Sequence, residues 1–371
     1  MTAILHTQQR RLWQYFDIWL LALVALLSIF GIAMIRSATF ESPELAALPF
    51  VQIRWAVLGL AVVFVVAAID YRYWQPLSRP MYFFILAALA WVFIVGEVLY
   101  GAQRWANFFG LFFIQPSELA KIGTILWTAD YFSRNREKIK EFKWVLASAV
   151  YSGIPAALVI AQPDLSTAII IGVIWFALLF AAGLKWQHIA IFVGAGILAV
   201  PAVWLALADY QKQRIIQFIN PSLDPGSYYN IRQALISIGS GGWFGQGYNH
   251  ASQISGRFLK VRHTDFIFSA LSSEFGFIGS MLVIIAMALV IVRILRVARM
   301  TIDPFGGLVC YGVAAMLFYQ AFFNIGMNMN LLPVTGLPLP FLSYGGSSLL
   351  TFMFAIGLVE SVALRHKQME H

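Results

Sequence analysis

The stretch DIWLLALVALLSIFGIAMI, residues 17–35, decides the fold. After Asp17 it carries no ionisable side chain, and crossing a hydrocarbon core takes about 20 such residues in helical form. It follows Arg10 and Arg11 but is too long for a signal-peptide core and lacks a convincing small-residue cleavage site, so it reads as a retained span. Working outward, further apolar runs at approximately 51–69, 80–99, 116–133, 143–161, 165–184, 187–207, 266–297, 305–328 and 344–364 predict about ten helices in all. The expected architecture is an all-α polytopic membrane protein. It forms one integral membrane domain over residues 1–371, with a long extracytoplasmic loop, 208–265, between spans seven and eight.

Composition agrees. The chain is 60% hydrophobic and 11% charged, where a soluble domain is roughly a quarter charged, and its mean hydropathy is +0.76. That excludes an ordinary soluble enzyme. The net charge of +8 is not a nucleic-acid footprint, because the basic residues lie in short clusters between apolar runs, where they set topology and meet anionic headgroups. With both termini cytoplasmic, about fifteen Lys and Arg fall on inner loops, while the short outer segments hold Arg36, Arg54, Arg104 and Lys121, and Lys212, Arg214, Arg232, Arg257, Lys260 and Arg262 lie in the one long outer loop, which weighs lightly. Cytoplasmic termini are therefore expected. The single cysteine, Cys310, excludes an intrachain disulfide or a Cys-based metal site.

Two outer segments are more than connectors. Residues 208–265 carry the glycine-rich GSGGWFGQGYNH at 239–250, and 330–348 reads NLLPVTGLPLPFLSYGGSS. Apolar residues recurring from Ile215 to Ile236 predict short helices lying on the outer leaflet. The glycines match neither phosphate-loop spacing, so no nucleotide site is expected. They form either a plain surface turn or a loop that lets a bulky ligand approach the backbone.

Polar residues within spans are costly in lipid and carry the chemical information. Glu118 and Lys121 share one face of the fourth span at i, i+3, after Gln115, Pro116 and Ser117. They are either a packing ion pair or, with Ser269, the polar wall of a cavity. In QPDLSTA, residues 162–168, Asp164 is best read as the N-cap of the sixth span. Asn324, Asn328 and Asn330 are either interhelical glue or the lining of a water-filled opening. Asp265 matters most: it stands where the long loop enters the eighth span, beside Lys260, Arg262 and His263. On helical spacing it shares a small-polar stripe with Ser269, Ser272 and Gly276, with Glu274 pointing elsewhere. It is either a helix cap or a catalytic carboxylate.

Taken together, QPSELAK at 115–121, QPDLSTA at 162–168, RIIQFINP at 214–221, HTDFIF at 263–268 and NIGMNMNLLPVTGLPLPFLSYGGSS at 324–348 identify the chain as resembling the SEDS (shape, elongation, division and sporulation) family over nearly its whole length, closest to the elongation-type members. The resemblance implies a peptidoglycan glycosyltransferase of the bacterial plasma membrane that polymerises lipid II on the outer face. Asp265 matches the family's essential aspartate, and Glu118 with Lys121 its important pair. A class B penicillin-binding protein is the implied partner, together with other elongation-complex membrane proteins.

On that reading Asp265 takes the proton of the acceptor GlcNAc 4-hydroxyl as it attacks the donor MurNAc anomeric carbon, and undecaprenyl diphosphate leaves with inversion to a β-1,4 link. Arg104, Arg214, Arg262 and Lys121 are candidates to hold the diphosphate, with Gln115 and Asn324 as polar contacts. Arg104 and Arg214 also read as headgroup anchors. No resident cofactor is expected, and an Mg²⁺ or Mn²⁺ ion would arrive with the diphosphate. Two rivals remain, a lipid II flippase and a noncatalytic scaffold, besides a division-type polymerase within the family.

Overall fold

The computed structural model describes residues 13–366 apart from 41, 96, 100–101, 109–111, 208, 221–224, 252–258 and 260. The helices are α1 (Ile18–Thr39), α2 (Leu48–Ala68), α3 (Trp74–Val95), α4 (Pro116–Arg134), α5 (Phe142–Ala161), α6 (Leu165–Ala181), α7 (Trp186–Ala206), α8 (Asp209–Ile219), α9 (Pro225–Ser240), α10 (Ile267–Met300), α11 (Pro304–Asn328) and α12 (Gly346–Arg365). Every expected span corresponds to one of these, and α8 and α9 are short helices of the kind expected in the long loop. By length and apolarity, 7 helices among the described residues are fit to cross a membrane. Helix α4, crowded with buried polar groups, is not one of them.

Between α3 and α4 the chain forms an antiparallel meander, β1 (Glu97–Leu99), β2 (Ala102–Phe108) and β3 (Phe112–Ile114). The sequence reading gave this connector no structure and carried the third span to residue 99. Helix α3 instead ends at Val95, and the alternating, aromatic-rich segment pairs with itself as strands, which satisfies backbone groups a short loop would leave open.

Helix α12 is the most enclosed of the spans and packs along α2. Close approach requires the glycines: a Cβ at Gly357 would lie 3.1 Å from Val63 O, and one at Gly59 2.7 Å from Met353 Cγ. Around this pair, α11 lies against α10, α4 and α6, and α1 against α10. At the end opposite Asp265, the Arg365 guanidinium donates to Ala67 O at 3.0 Å and Ala68 O at 2.7 Å, closing the carbonyl end of α2.

Helix α10 is not one regular helix. Gly276 has φ 65° and ψ −161°, breaking it about a third of the way along. The break receives the glycine loop that follows α9. Gln246 N donates to Ser273 O and Gly247 N to Glu274 O, both at 3.0 Å, while Phe277 N donates to Gly242 O at 2.8 Å. Glu274, expected to point away from the polar stripe, is buried beneath the loop and accepts from Ser37 Oγ and from Asn249 N. The glycines thus let one backbone approach another, an alternative the sequence reading did not weigh.

Gly245 tests this directly. Its φ is +82°, and a Cβ there would fall 2.0 Å from Glu274 O. Gly245→Ala is expected to lower stability in detergent by roughly 1–3 kcal/mol. At helical Gly239, where a Cβ meets nothing within 4 Å, the same substitution is expected to be neutral or slightly stabilising. Equal shifts in the thermal midpoint of the two variants would refute the docking account.

Candidate active site around Asp265

Asp265 lies in the turn 261–266 that leads into α10 and is half-buried. The turn closes on Val261, at φ 54°, whose carbonyl accepts from Thr264 N at 3.2 Å and Phe266 N at 3.4 Å. The N-cap of α10 is Phe266, with no side-chain cap. Asp265 is therefore not itself the N-cap residue of α10.

Its backbone is fixed by two asparagines one turn apart on α11. Asn324 Nδ2 and Asn328 Nδ2 each donate to Asp265 O at 3.0 Å. Asn324 also donates to Leu337 O at 2.7 Å, and Asn328 Oδ1 accepts from Ser269 N at 3.1 Å and Ser269 Oγ at 2.6 Å. All three side chains are fully buried. Asn324, expected to contact substrate, instead spends its amide on two carbonyls, and Ser269 faces protein rather than an open cavity. The glue reading fits Asn324 and Asn328, whereas Asn330, at φ 53°, lies in the turn just past α11.

The same hydrogen bonds draw the Pro-rich segment 333–345 over the turn. Ser343 Oγ donates to Thr264 O at 2.7 Å and Tyr344 N to His263 O at 2.9 Å. Ser166 Oγ on α6 donates to Thr335 O at 2.6 Å, and Arg214 Nη1 on α8 approaches Val334 O at 3.4 Å. Gly336, at φ +70°, sits against the carboxylate: a Cβ there would be 3.5 Å from Asp265 Oδ2. Burial and the adjacent Arg262 guanidinium push the His263 imidazole below its usual pKa.

Glu118 and Lys121 form an ion pair of 2.8 Å with the Lys121 side chain fully enclosed. Lys121 Nζ also donates to Gln320 Oε1 at 3.3 Å and lies 5.3 Å from the Phe352 ring centroid. Gln320, Asn324 and Asn328 succeed one another at four-residue steps, about 6 Å apart along α11, so one polar edge runs from the ion pair to the Asp265 turn. Gln320 was not singled out in the sequence, although its spacing from the asparagines was the available signal.

The remaining candidates divide. Gln115 Nε2 donates to Asp164 Oδ2 at 3.0 Å, while Asp164 accepts from Thr167 N at 3.2 Å as the cap of α6. Arg262 is buried, and its Nε donates to Ala38 O at 2.6 Å, tying the turn to the end of α1. Arg214 is exposed beside the 333–345 segment. Arg104 lies in β2, with its side chain outside the described residues. Among the described residues no three His, Cys, Asp or Glu side chains cluster as metal ligands. What the arrangement offers chemically is a half-buried carboxylate on an immobilised backbone, at the edge of a glycine- and proline-rich segment.

Comparison with known proteins adds a family and two kinds of relative. The FtsW/RodA/SpoVE model, described as cell cycle protein, matches residues 13–368. A probable peptidoglycan glycosyltransferase FtsW of Geobacter metallireducens is 37% identical over 366 residues, covering 95% of this chain and 96% of its own. The peptidoglycan glycosyltransferase MrdB of Escherichia coli is 36% identical over 352 residues, 94% of each chain. Among solved structures, a chain of a peptidoglycan synthase complex that coordinates polymerization and crosslinking aligns with a TM-score of 0.82 at 30% identity, covering 95% of this chain and 99% of that one. The rod shape determining protein RodA of Thermus thermophilus aligns at 0.71 and 29%, covering 95% and 98%.

Removing one member of the enclosed ion pair leaves a bare charge. Lys121→Met is expected to destabilise the protein by about 3–5 kcal/mol. If pairing alone matters, the exchange Glu118→Lys with Lys121→Glu recovers most of that loss. Thermal unfolding in detergent reads both, and a single variant as stable as wild type would contradict the packing role.

Proposed function

We propose, from the premise that the chain belongs to the FtsW/RodA/SpoVE family, that it is a multi-pass peptidoglycan glycosyltransferase whose general base is Asp265. The activity is that of its curated relatives across nearly the full length of both chains. The observation that carries the residue assignment is the double donation of Asn324 and Asn328 to the Asp265 carbonyl. It fixes the residue by its backbone, and Asp265 is not itself the N-cap of α10.

The reading is as follows. The acceptor GlcNAc 4-hydroxyl of one lipid II-type chain end attacks the MurNAc anomeric carbon of another. The hydroxyl proton passes to Asp265, the new β-1,4 bond forms with inversion, and the anomeric C–O bond to undecaprenyl diphosphate breaks. A sugar diphosphate leaves without needing a proton, so the second carboxylate of a glycosidase is not required. Arg214, exposed beside the 333–345 segment, is the cation best placed to meet the diphosphate. Arg262 and Asn324 position the turn instead. An Mg²⁺ or Mn²⁺ ion, where one takes part, comes with the diphosphate.

The distribution of Lys and Arg supports cytoplasmic termini and an extracytoplasmic Asp265. Similarity to a chain of a synthase complex that couples polymerization to crosslinking supports a crosslinking partner, here a class B penicillin-binding protein among other elongation-complex proteins. Similarity to RodA and MrdB supports a role in elongation and rod shape. The comparable identity to FtsW favours a division role as the second reading.

Purified protein in detergent, given lipid II, is expected to form glycan chains, which a flippase or scaffold would not. Asp265→Asn is expected to reduce polymerisation by at least about a hundredfold with folding unchanged; normal chain formation by that variant refutes the base assignment. Asn328→Leu removes one donor to the Asp265 carbonyl and both contacts to Ser269. It is expected to lower turnover about tenfold or more, with lipid II binding little changed. A loss of binding with intact turnover would instead make Asn328 a substrate contact.

A further inference from the structure

A second site lies at the opposite end of the bundle from Asp265. The start of α1 and the last turns of α10 and α12 form an open groove with room of about 230 Å³, lined by Tyr15, Phe16, Trp19, Arg293, Arg296 and His366 around Asp17. Its cations are unevenly matched. Arg293 Nη2 is fixed by Asp17 Oδ1 at 2.9 Å. Asp17 also caps α1 through Leu20 N at 3.1 Å, and its own amide is taken by the buried Glu360 at 2.9 Å. Arg296 is exposed, with no ion-pair partner among the described residues. His366 meets the edge of the Tyr15 ring at 5.5 Å. The lining therefore carries a surplus of positive charge within an aromatic rim, the combination found where a span leaves the hydrocarbon for the headgroups.

The faces flanking the groove are apolar and exposed. On α1 they carry Trp19 at 68%, Leu26 at 60% and Ile29 at 65%; on the adjacent α10 they carry Leu289 at 46% and Val292 at 57%. A ligand suited to both parts has an anionic head and long hydrocarbon tails.

We propose that this groove binds the phosphodiester headgroup of an anionic glycerophospholipid, with Arg296 as its principal contact and the acyl chains lying along α1 and α10. The site is independent of the Asp265 chemistry.

Native mass spectrometry of the full chain released from detergent tests it, with phosphatidylglycerol, phosphatidylethanolamine of the same acyl chains and undecaprenyl phosphate as probes. Phosphatidylglycerol is expected to be retained at least about fivefold over phosphatidylethanolamine, the gain one basic residue gives at a membrane surface. Arg296→Gln is expected to abolish the preference and Arg296→Lys to keep most of it. Glycan polymerisation in detergent should be unchanged in both, which separates lost lipid binding from misfolding. Equal retention of the two phospholipids, an unaltered preference in Arg296→Gln, or displacement of phosphatidylglycerol by undecaprenyl phosphate would each overturn the proposal.

Discussion

The carbonyl of Asp265 accepts from two buried asparagine amides, and the shape of the active end depends on that pairing. In hydrocarbon, a backbone group outside a regular helix has no water to turn to. The turn 261–266 and the segment 333–345 are both irregular, and each supplies hydrogen-bond partners for the other. Asn324 joins Asp265 O to Leu337 O, and Ser343 joins Thr264 O to Leu339 N. An apolar residue at Asn324 would strand the Leu337 carbonyl, and one at Asn328 the Ser269 donors, at about 1–3 kcal/mol for each group. The polar content of α11 is thus a structural requirement of carrying a carboxylate on a non-helical turn.

The break in α10 obeys the same rule from the other side. A helix interrupted at Gly276 exposes carbonyls and amides in its middle, and the loop after α9 pairs with them: Ser273 O and Glu274 O accept, and Phe277 N donates. Side chains would keep the two backbones apart, so glycine appears on both partners, at 241, 245 and 276. Helix α9, the glycine loop and the first turns of α10 therefore form one connected unit that ends at Asp265. Arg262 ties that unit to Ala38 O at the end of α1, at 2.6 Å. A cation with such a task is a brace, whatever its charge does for a nearby diphosphate.

The spans were legible because a run such as 17–35 has few alternatives in water, and the positions of the ten long helices agree with the apolar runs. The Asp164 cap and the short helices of the long loop were legible for the same local reasons, a capping side chain and a recurring apolar pattern. The meander at 97–114 was not, since its pairing is set by contacts between strands rather than by any apolar run. Gly276 was read as one more position on a helical stripe, because φ is invisible in sequence and the loop that claims its backbone lies about thirty residues away. Asn324 was assigned to the substrate for a related reason. A buried amide and a ligand-binding amide have the same spelling, and only the identity of their acceptors separates them.

These points bear on what Glu118 and Lys121 do. Lys121 is enclosed, paired to Glu118 at 2.8 Å, and bonded to Gln320 at the start of the polar edge that ends in Asn324 and Asn328. A charge in such a place is compensated by partners, not by solvent, so its first effect is on where α11 sits against α4. Any shift of α11 moves the two amides that hold Asp265. The ion pair is therefore coupled to the placement of Asp265 through one helix whose polar edge joins it to the turn. On the proposed reading, what this arrangement supplies to Asp265 is placement: a half-buried carboxylate on a backbone held by two amides.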